Sequence, residues 1–127
     1  MKEAVARGTK QISWKQSVEI ASMIRGKKTE TAKKMLEKVI KMEMPVKFKR
    51  FNESAGHRSG IGPGKYPVKA SHEILQLLKS AEANAQHQGI SNSKITHIIT
   101  SKCSTRRYGR QGWKGKRTYI EVKVGND

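Results

Sequence analysis

The spacing of apolar residues along the chain predicts three helices, of which the first lies near the N-terminus. Ser13 and Gln16 form a Ser-x-x-Gln capping box, which satisfies two backbone donors of the first helical turn. Gly26 supplies the stop, because glycine readily adopts the left-handed conformation in which helices often end. The apolar face consists of residues at helical spacing, namely Trp14, Val18, Ala21 and Ile24.

The second helix has the most regular pattern in the sequence. Thr29 is its expected N-cap, and Pro45 prevents much extension beyond Met44, because proline lacks a backbone donor. A third helix is predicted from about residue 68 to 88, and Gly89 ends it. The apolar faces of these two helices are Ala32, Met35, Leu36, Val39 and Ile40, and Ala70, Ile74, Leu77, Leu78, Ala81 and Ala85.

Alternating apolar residues predict a β-hairpin at residues 94–124. In its second strand, residues 117–124, Ile120, Val122 and Val124 share one face. The first strand, residues 94–102, carries three isoleucines, and residues 103–116 form the tip. The weak alternation of residues 2–12 indicates a short strand or an extended arm. The predicted fold class is α+β: a single domain, residues 1–127, in which three helices pack on a small antiparallel sheet with a projecting β-hairpin.

Two segments have no apolar period and carry cations interleaved with aromatic residues. The loop at residues 44–68 lies between the second and third helices and contains all three prolines. The tip and the first residue of the second strand, residues 103–117, together hold six basic residues and no acid. Guanidinium groups bind phosphate in bidentate fashion, aromatic rings stack on unpaired bases, and glycine permits close approach. Both segments therefore indicate RNA contact rather than inert linkers. For Phe48 and Phe51, burial in the core and stacking on RNA bases are equally consistent with the sequence.

The net charge supports this interpretation. The chain has 27 Lys and Arg against 10 Asp and Glu, a formal charge of +17. A polyanion relieves the self-repulsion of such a domain, and nucleic acid is a commoner polyanion than an anionic membrane surface. Cys103 is the single cysteine, which fits a reducing interior. No secretion signal or membrane span is evident, so we expect a cytoplasmic protein without a membrane partner.

Catalytic and metal-binding patterns are weak. The four histidines, His57, His72, His87 and His97, lack the spacing of a metal site, and Cys103 has no evident base beside it. The glycine-rich run at residues 60–64 lacks the Gly-Lys-Ser/Thr ending of a phosphate loop. We therefore expect no metal, no cofactor and no enzymatic activity.

Several motifs together resemble a known family. They are Ile12-Ser13 with Lys15, Ile24 to Lys27, Val46 to Asn52, Gly56 to Arg58, Gly64 to Ala70, and Leu77 to Ala85 with Gly89. In this order they resemble the large-subunit ribosomal proteins numbered twenty-two in the bacterial scheme and seventeen in the eukaryotic one, in their archaeal and eukaryotic branch. Two positions depart from the family pattern: Trp14 replaces a common proline, and the tip carries Tyr108 to Trp113 in place of an Ala-Arg-Gly-Arg-Ala-like run.

The resemblance implies a structural constituent of the large ribosomal subunit, located in the cytoplasm. The family's globular part lies on large-subunit rRNA, its hairpin lines the peptide exit tunnel and meets the nascent polypeptide, and the protein contributes to subunit assembly. Expected partners are rRNA and neighbouring ribosomal proteins, and no homo-oligomer is expected. The predicted rRNA-binding residues are Arg7, Lys10, Lys15, Lys47, Lys49, Arg50, His57, Arg58, Lys65, Tyr66, Lys69, Lys102, Arg106, Arg107, Tyr108, Arg110, Trp113, Lys114, Lys116 and Arg117.

Two other functions fit the composition less well. One is a free-standing RNA or DNA chaperone, which differs from the ribosomal hypothesis in not sedimenting with large subunits. The other is an enzyme acting on RNA through a histidine such as His57, which requires a turnover that His57→Ala abolishes without loss of binding.

Overall fold

The computed structural model describes residues 3–104, 106–108 and 113–126, and it gives only the backbone of residues 106–108, 113 and 114. The elements, in chain order, are β1 (Glu3–Lys10), α1 (Trp14–Ile24), α2 (Thr29–Ile40), β2 (Val46–Lys47), β3 (His57–Arg58), β4 (Gly62–Lys65), α3 (Val68–His87), β5 (Ser93–Lys102), β6 (Arg106–Tyr108), β7 (Trp113–Gly115) and β8 (Thr118–Asn126). The α+β class is confirmed.

The main sheet is antiparallel and has the strand order β1-β8-β5. The predicted hairpin supplies two of its strands, with Ile98 opposite Val122. Within the tip, β6 pairs with β7 and continues the hairpin. The N-terminal segment is a strand rather than an extended arm, because β8 has a second edge with which β1 pairs from Glu3 to Lys10.

The helices cover one face of this sheet. Helix α3 packs on β1 and β8, α1 packs on β5, and α2 packs on α3. The alternation in β8 is confirmed, since the side chains at 120, 122 and 124 are buried and those at 119, 121 and 123 are half-buried. Each buried isoleucine or leucine in such a core contributes about 1.5–3 kcal/mol relative to an exposed one. The largest fully buried side chains include Ile20, Ile24, Leu36, Ile74, Leu78, Ile95, Ile98 and Ile120.

Ser13 is confirmed as the N-cap position of α1, but its predicted side-chain capping bond is absent. The predicted N-cap of α2 is wrong by one residue, and both glycine stops are confirmed. Ser13 makes no side-chain cap hydrogen bond, and its carbonyl accepts instead from the Ser17 hydroxyl at 2.8 Å. Thr29 lies inside α2 rather than at its N-cap, because its hydroxyl bonds Ser93 on β5 at 2.6 Å. A partner distant in sequence thus outcompetes the local backbone. The stops, Gly26 and Gly89, have φ of +78° and +84°.

The segment predicted as a loop at residues 44–68 contains a small sheet of order β2-β4-β3. Its strands are two to four residues long and include Gly62, Pro63 and Gly64, so they carry no apolar period. Gly64 is buried, and a Cβ there would lie 3.1 Å from the Val46 carbonyl oxygen on β2 and 2.9 Å from Ile61 Cδ1. A side chain at this position would therefore require the Val46 carbonyl and the Ile61 side chain to move by a few tenths of an ångström.

We expect Gly64→Ala to destabilise this small sheet by about 1–3 kcal/mol, because the added methyl group overpacks a site closed by backbone. Amide hydrogen exchange of residues 46–65 measures the loss. Gly56→Ala is the matched control, since a Cβ at Gly56 meets nothing within 4 Å. Equal protection in the two variants would contradict the expectation.

Candidate nucleic-acid interface

The predicted RNA-binding side chains that the structure describes all lie at the surface. None of these is buried, so each can reach a partner without unfolding. The exposed ones are Arg7, Lys15, Lys47, Lys49, Arg50, His57, Arg58, Lys69, Lys102, Lys116 and Arg117, and the half-buried ones are Lys10, Lys65 and Tyr66. The prediction for Arg110 lies outside the described residues, and the predictions for Arg106, Arg107, Tyr108, Trp113 and Lys114 concern side chains outside them.

Four residues from two distant segments form a cluster of rings and cations, which we call the Trp14 cluster: Trp14, Lys15, Arg50 and Phe51. The Trp14 and Phe51 rings meet edge to face, with centroids 5.3 Å apart. The Arg50 guanidinium lies 5.5 Å from the Trp14 ring centroid and 5.2 Å from that of Phe51. Lys15 Nζ lies 5.6 Å from the Phe51 centroid. The cluster combines π-faces with positive charge, which is the chemistry that binds single-stranded nucleic acid.

A buried carboxylate fixes this cluster to the fold. Glu19 on α1 is 2% exposed, and its two oxygens accept the backbone N–H groups of Lys49 at 2.7 Å and Arg50 at 3.0 Å. Such charge-assisted bonds are about twice as strong as neutral ones. Glu19 belongs to no motif in the sequence; the available signal was its position between two apolar residues, Val18 and Ile20.

The small sheet carries a second group of cations and rings. Arg58 lies over the Tyr66 ring at 5.0 Å, and its Nε donates to the Gly64 carbonyl at 3.4 Å. Lys65 lies 5.6 Å from the centroid of the Phe48 ring. The structure distinguishes the two phenylalanines. Phe48 is 3% exposed and is a core residue, whereas Phe51 is half-buried at the surface.

The base of the hairpin presents a third cationic surface. Lys102, Lys116 and Arg117 are exposed there, and the Cys103 amide donates to the Arg117 carbonyl at 3.2 Å, which keeps the two chains paired beside the tip. Lys10 is different, since its ammonium lies 3.7 Å from the Glu73 carboxylate. A partly exposed pair of this kind is worth about 0–1 kcal/mol, so Lys10 remains a weaker candidate for phosphate.

Metal-binding side chains are not grouped in the part of the chain that the structure describes. No group of three or more His, Cys, Asp or Glu residues there is arranged to hold a metal ion. His72 lies 3.1 Å from Gln76 on the same helix face. No helix among the described residues has the length and apolar character needed to cross a membrane.

Comparison with known proteins shows that the sequence is similar to those of ribosomal proteins. The family model described as "Ribosomal protein L22p/L17e" matches residues 5–122. A "Large ribosomal subunit protein uL22" from Picrophilus torridus is 41% identical over 108 residues, which cover 80% of this chain and 72% of that protein. The protein of the same name from Ignicoccus hospitalis is 41% identical over 128 residues, covering 89% and 80%. That from Methanosphaera stadtmanae is 44% identical over 107 residues, covering 80% and 67%.

Proposed function

Because the chain belongs to the ribosomal protein L22p/L17e family, we propose that it is a structural constituent of the large ribosomal subunit that binds rRNA through its cationic surfaces. The family is one of structural proteins rather than enzymes, and its relatives are named as large-subunit proteins, which places this chain in the cytoplasmic ribosome. The predicted family is thus confirmed.

The observation that carries the rRNA proposal is the placement of cations beside aromatic rings. The Trp14 cluster and the Arg58–Tyr66 pair each bring a guanidinium to within about 5.5 Å of a ring centroid at the surface. With a formal charge of +17, the fold needs a polyanion to relieve self-repulsion, and folded RNA offers phosphates together with unpaired bases.

The hairpin is the part that we propose to line the peptide exit tunnel. It is built from β5 and β8 and continues into β6 and β7, whereas the helices α1 and α3 pack on β5 and β8. The tip would meet the nascent polypeptide, while the globular part contacts rRNA and neighbouring ribosomal proteins during assembly. Binding to such a site requires one copy of the chain per subunit, without a homo-oligomer.

One experiment tests membership and position together. The protein, with a photoreactive residue in place of Gly112, is assembled into ribosomes that hold a stalled nascent polypeptide. We expect the chain to sediment with large subunits through about 0.15 M salt, and illumination should join the tip to the nascent polypeptide. A photoreactive residue at Lys34 on α2 is the matched control and should not join it.

Each failure has a separate meaning. Migration of the chain in light fractions would overturn the ribosomal proposal and favour a free-standing nucleic-acid chaperone. Sedimentation with large subunits and no nascent-chain product from Gly112 would overturn the tunnel proposal alone.

A further inference from the structure

A cleft of about 420 Å³ lies between α1, the outer edge of β5 and the segment at Lys49 and Arg50. This volume falls in the range of pockets that hold small organic ligands, about 300–1,000 Å³. Trp14 forms one wall. The apolar lining comes from Val18 and Ile99, and the polar lining from Ser22, Arg25, His97 and Thr100. The cleft thus combines apolar and hydrogen-bonding side chains, as a site for a nucleobase does.

Two hydrogen bonds close the edge of β5 beside this cleft. Trp14 Nε1 donates to the Thr100 carbonyl at 3.3 Å, and Arg25 Nη2 donates to the Ile98 carbonyl at 3.0 Å. An added β-strand needs those carbonyls, so a protein partner that docks by strand addition would first break both bonds. The same bonds hold the indole and the guanidinium in place before any ligand arrives.

The charge around the cleft favours an anion. Lys15, Arg25, Lys49 and Arg50 are exposed at or beside its rim. Glu19 is the one carboxylate among the lining residues, all of which the structure describes. It is buried, and both of its oxygens already accept backbone N–H groups. A ligand at the rim therefore meets cations, while the single acid faces inward.

Together these features describe a site for one unpaired nucleotide, and we propose that the cleft receives such a nucleotide of the RNA. Its base stacks on Trp14, and its flanking phosphates contact Arg50 and Lys49. A base offers a flat π-face to the indole, and each flanking phosphate offers an anion to the rim. The inference rests on the proposed function and adds a specific ligand and place to it.

The test follows Trp14 fluorescence in the full chain. The chain has two tryptophans, so Trp113→Phe keeps an aromatic ring in the tip and leaves Trp14 as the sole indole. All comparisons are made in this background. We expect an eight-nucleotide single-stranded RNA to quench Trp14 emission and to protect it from acrylamide. The same sequence in a duplex should do so far less at equal phosphate concentration, because paired bases cannot enter the cleft.

Variants separate stacking from charge. Because the Trp14 variants have no indole in this background, binding is measured for all variants by the anisotropy of a fluorescently labelled RNA. We expect Trp14→Leu to weaken binding of the single strand on the order of tenfold, as the loss of one stacked base does. It should leave the slope of log affinity against log salt unchanged. Trp14→Tyr, which retains a ring, should recover most of the affinity. Lys49→Ala and Arg50→Ala should each flatten that slope by about 0.7. Acrylamide protection in the unsubstituted cleft tests the proposal even where Trp14→Leu fails to fold.

Unchanged Trp14 emission and accessibility, while the protein still binds large-subunit rRNA, would overturn the nucleotide site and leave the proposed function standing. Loss of rRNA binding by the unsubstituted chain would instead count against the proposed function. If an acidic peptide such as poly-glutamate protects Trp14 as well as the single strand does, the occupant is a protein and the nucleotide proposal falls.

Discussion

Replacing Arg106, Arg107 and Arg110 together by alanine is expected to weaken binding to large-subunit rRNA on the order of 100-fold at ~0.15 M salt. Each arginine that meets a phosphate releases roughly 0.7–0.9 counterions, so the slope of log affinity against log salt should flatten by about two to three units. Filter binding or fluorescence anisotropy across a salt series measures both quantities. Arg→Lys at the same three positions should recover the charge but not the bidentate geometry, and affinity should return only in part.

A charge-matched control distinguishes the tip from general electrostatics. Lys34, Lys38 and Lys41 on or beside α2 carry the same total charge, but acids accompany them, with Glu30 only 3.6 Å from Lys34. Their triple alanine variant should change the slope by less than one unit. An equal loss in both triple variants would mean that the tip arginines act through net charge and make no phosphate contact of their own.

Glu19→Ala is expected to lower the free energy of unfolding by about 2–4 kcal/mol, because it leaves two backbone donors without their charged acceptor. The loss should extend to RNA binding, since Lys49 and Arg50 are the two residues whose amides the carboxylate holds. Chemical denaturation gives the global stability. Hydrogen exchange at the Lys49 and Arg50 amides detects a loss that stays local.

Two variants bracket this effect. Glu19→Gln keeps the volume but presents one acceptor oxygen and one NH₂ group, so we expect roughly half the loss. Glu37→Ala removes an exposed carboxylate from α2 and should change the stability by no more than about 0.5 kcal/mol. If Glu19→Ala behaves like Glu37→Ala, the carboxylate does not hold the Trp14 cluster to the fold.

The bonds that build the interface show why only part of it was predictable. Exposure of Lys47, Lys49, Arg50 and Arg58 followed from composition, because charged side chains mostly stay in water. The union of Trp14 with Arg50 and Phe51 did not, since Trp14 had been assigned to the apolar face of α1 and is half-buried beside β5. Its hydrogen bond to Thr100 spans 86 positions in sequence, and no local period records such a partner.

The sequence by itself determined the three helices and the main hairpin, and it predicted a polyanionic partner, because each depends on a repeat or a charge balance summed over many neighbouring residues. The tertiary structure alone decided which side chains share the interface. It placed Glu19 against the backbone of Lys49 and Arg50, which lie 30 and 31 positions further along the chain. It also brought β2 beside β4 at Gly64, which has no side chain to hold the strands apart. Those are single contacts between distant residues, and they form only when the packed core has brought their elements together.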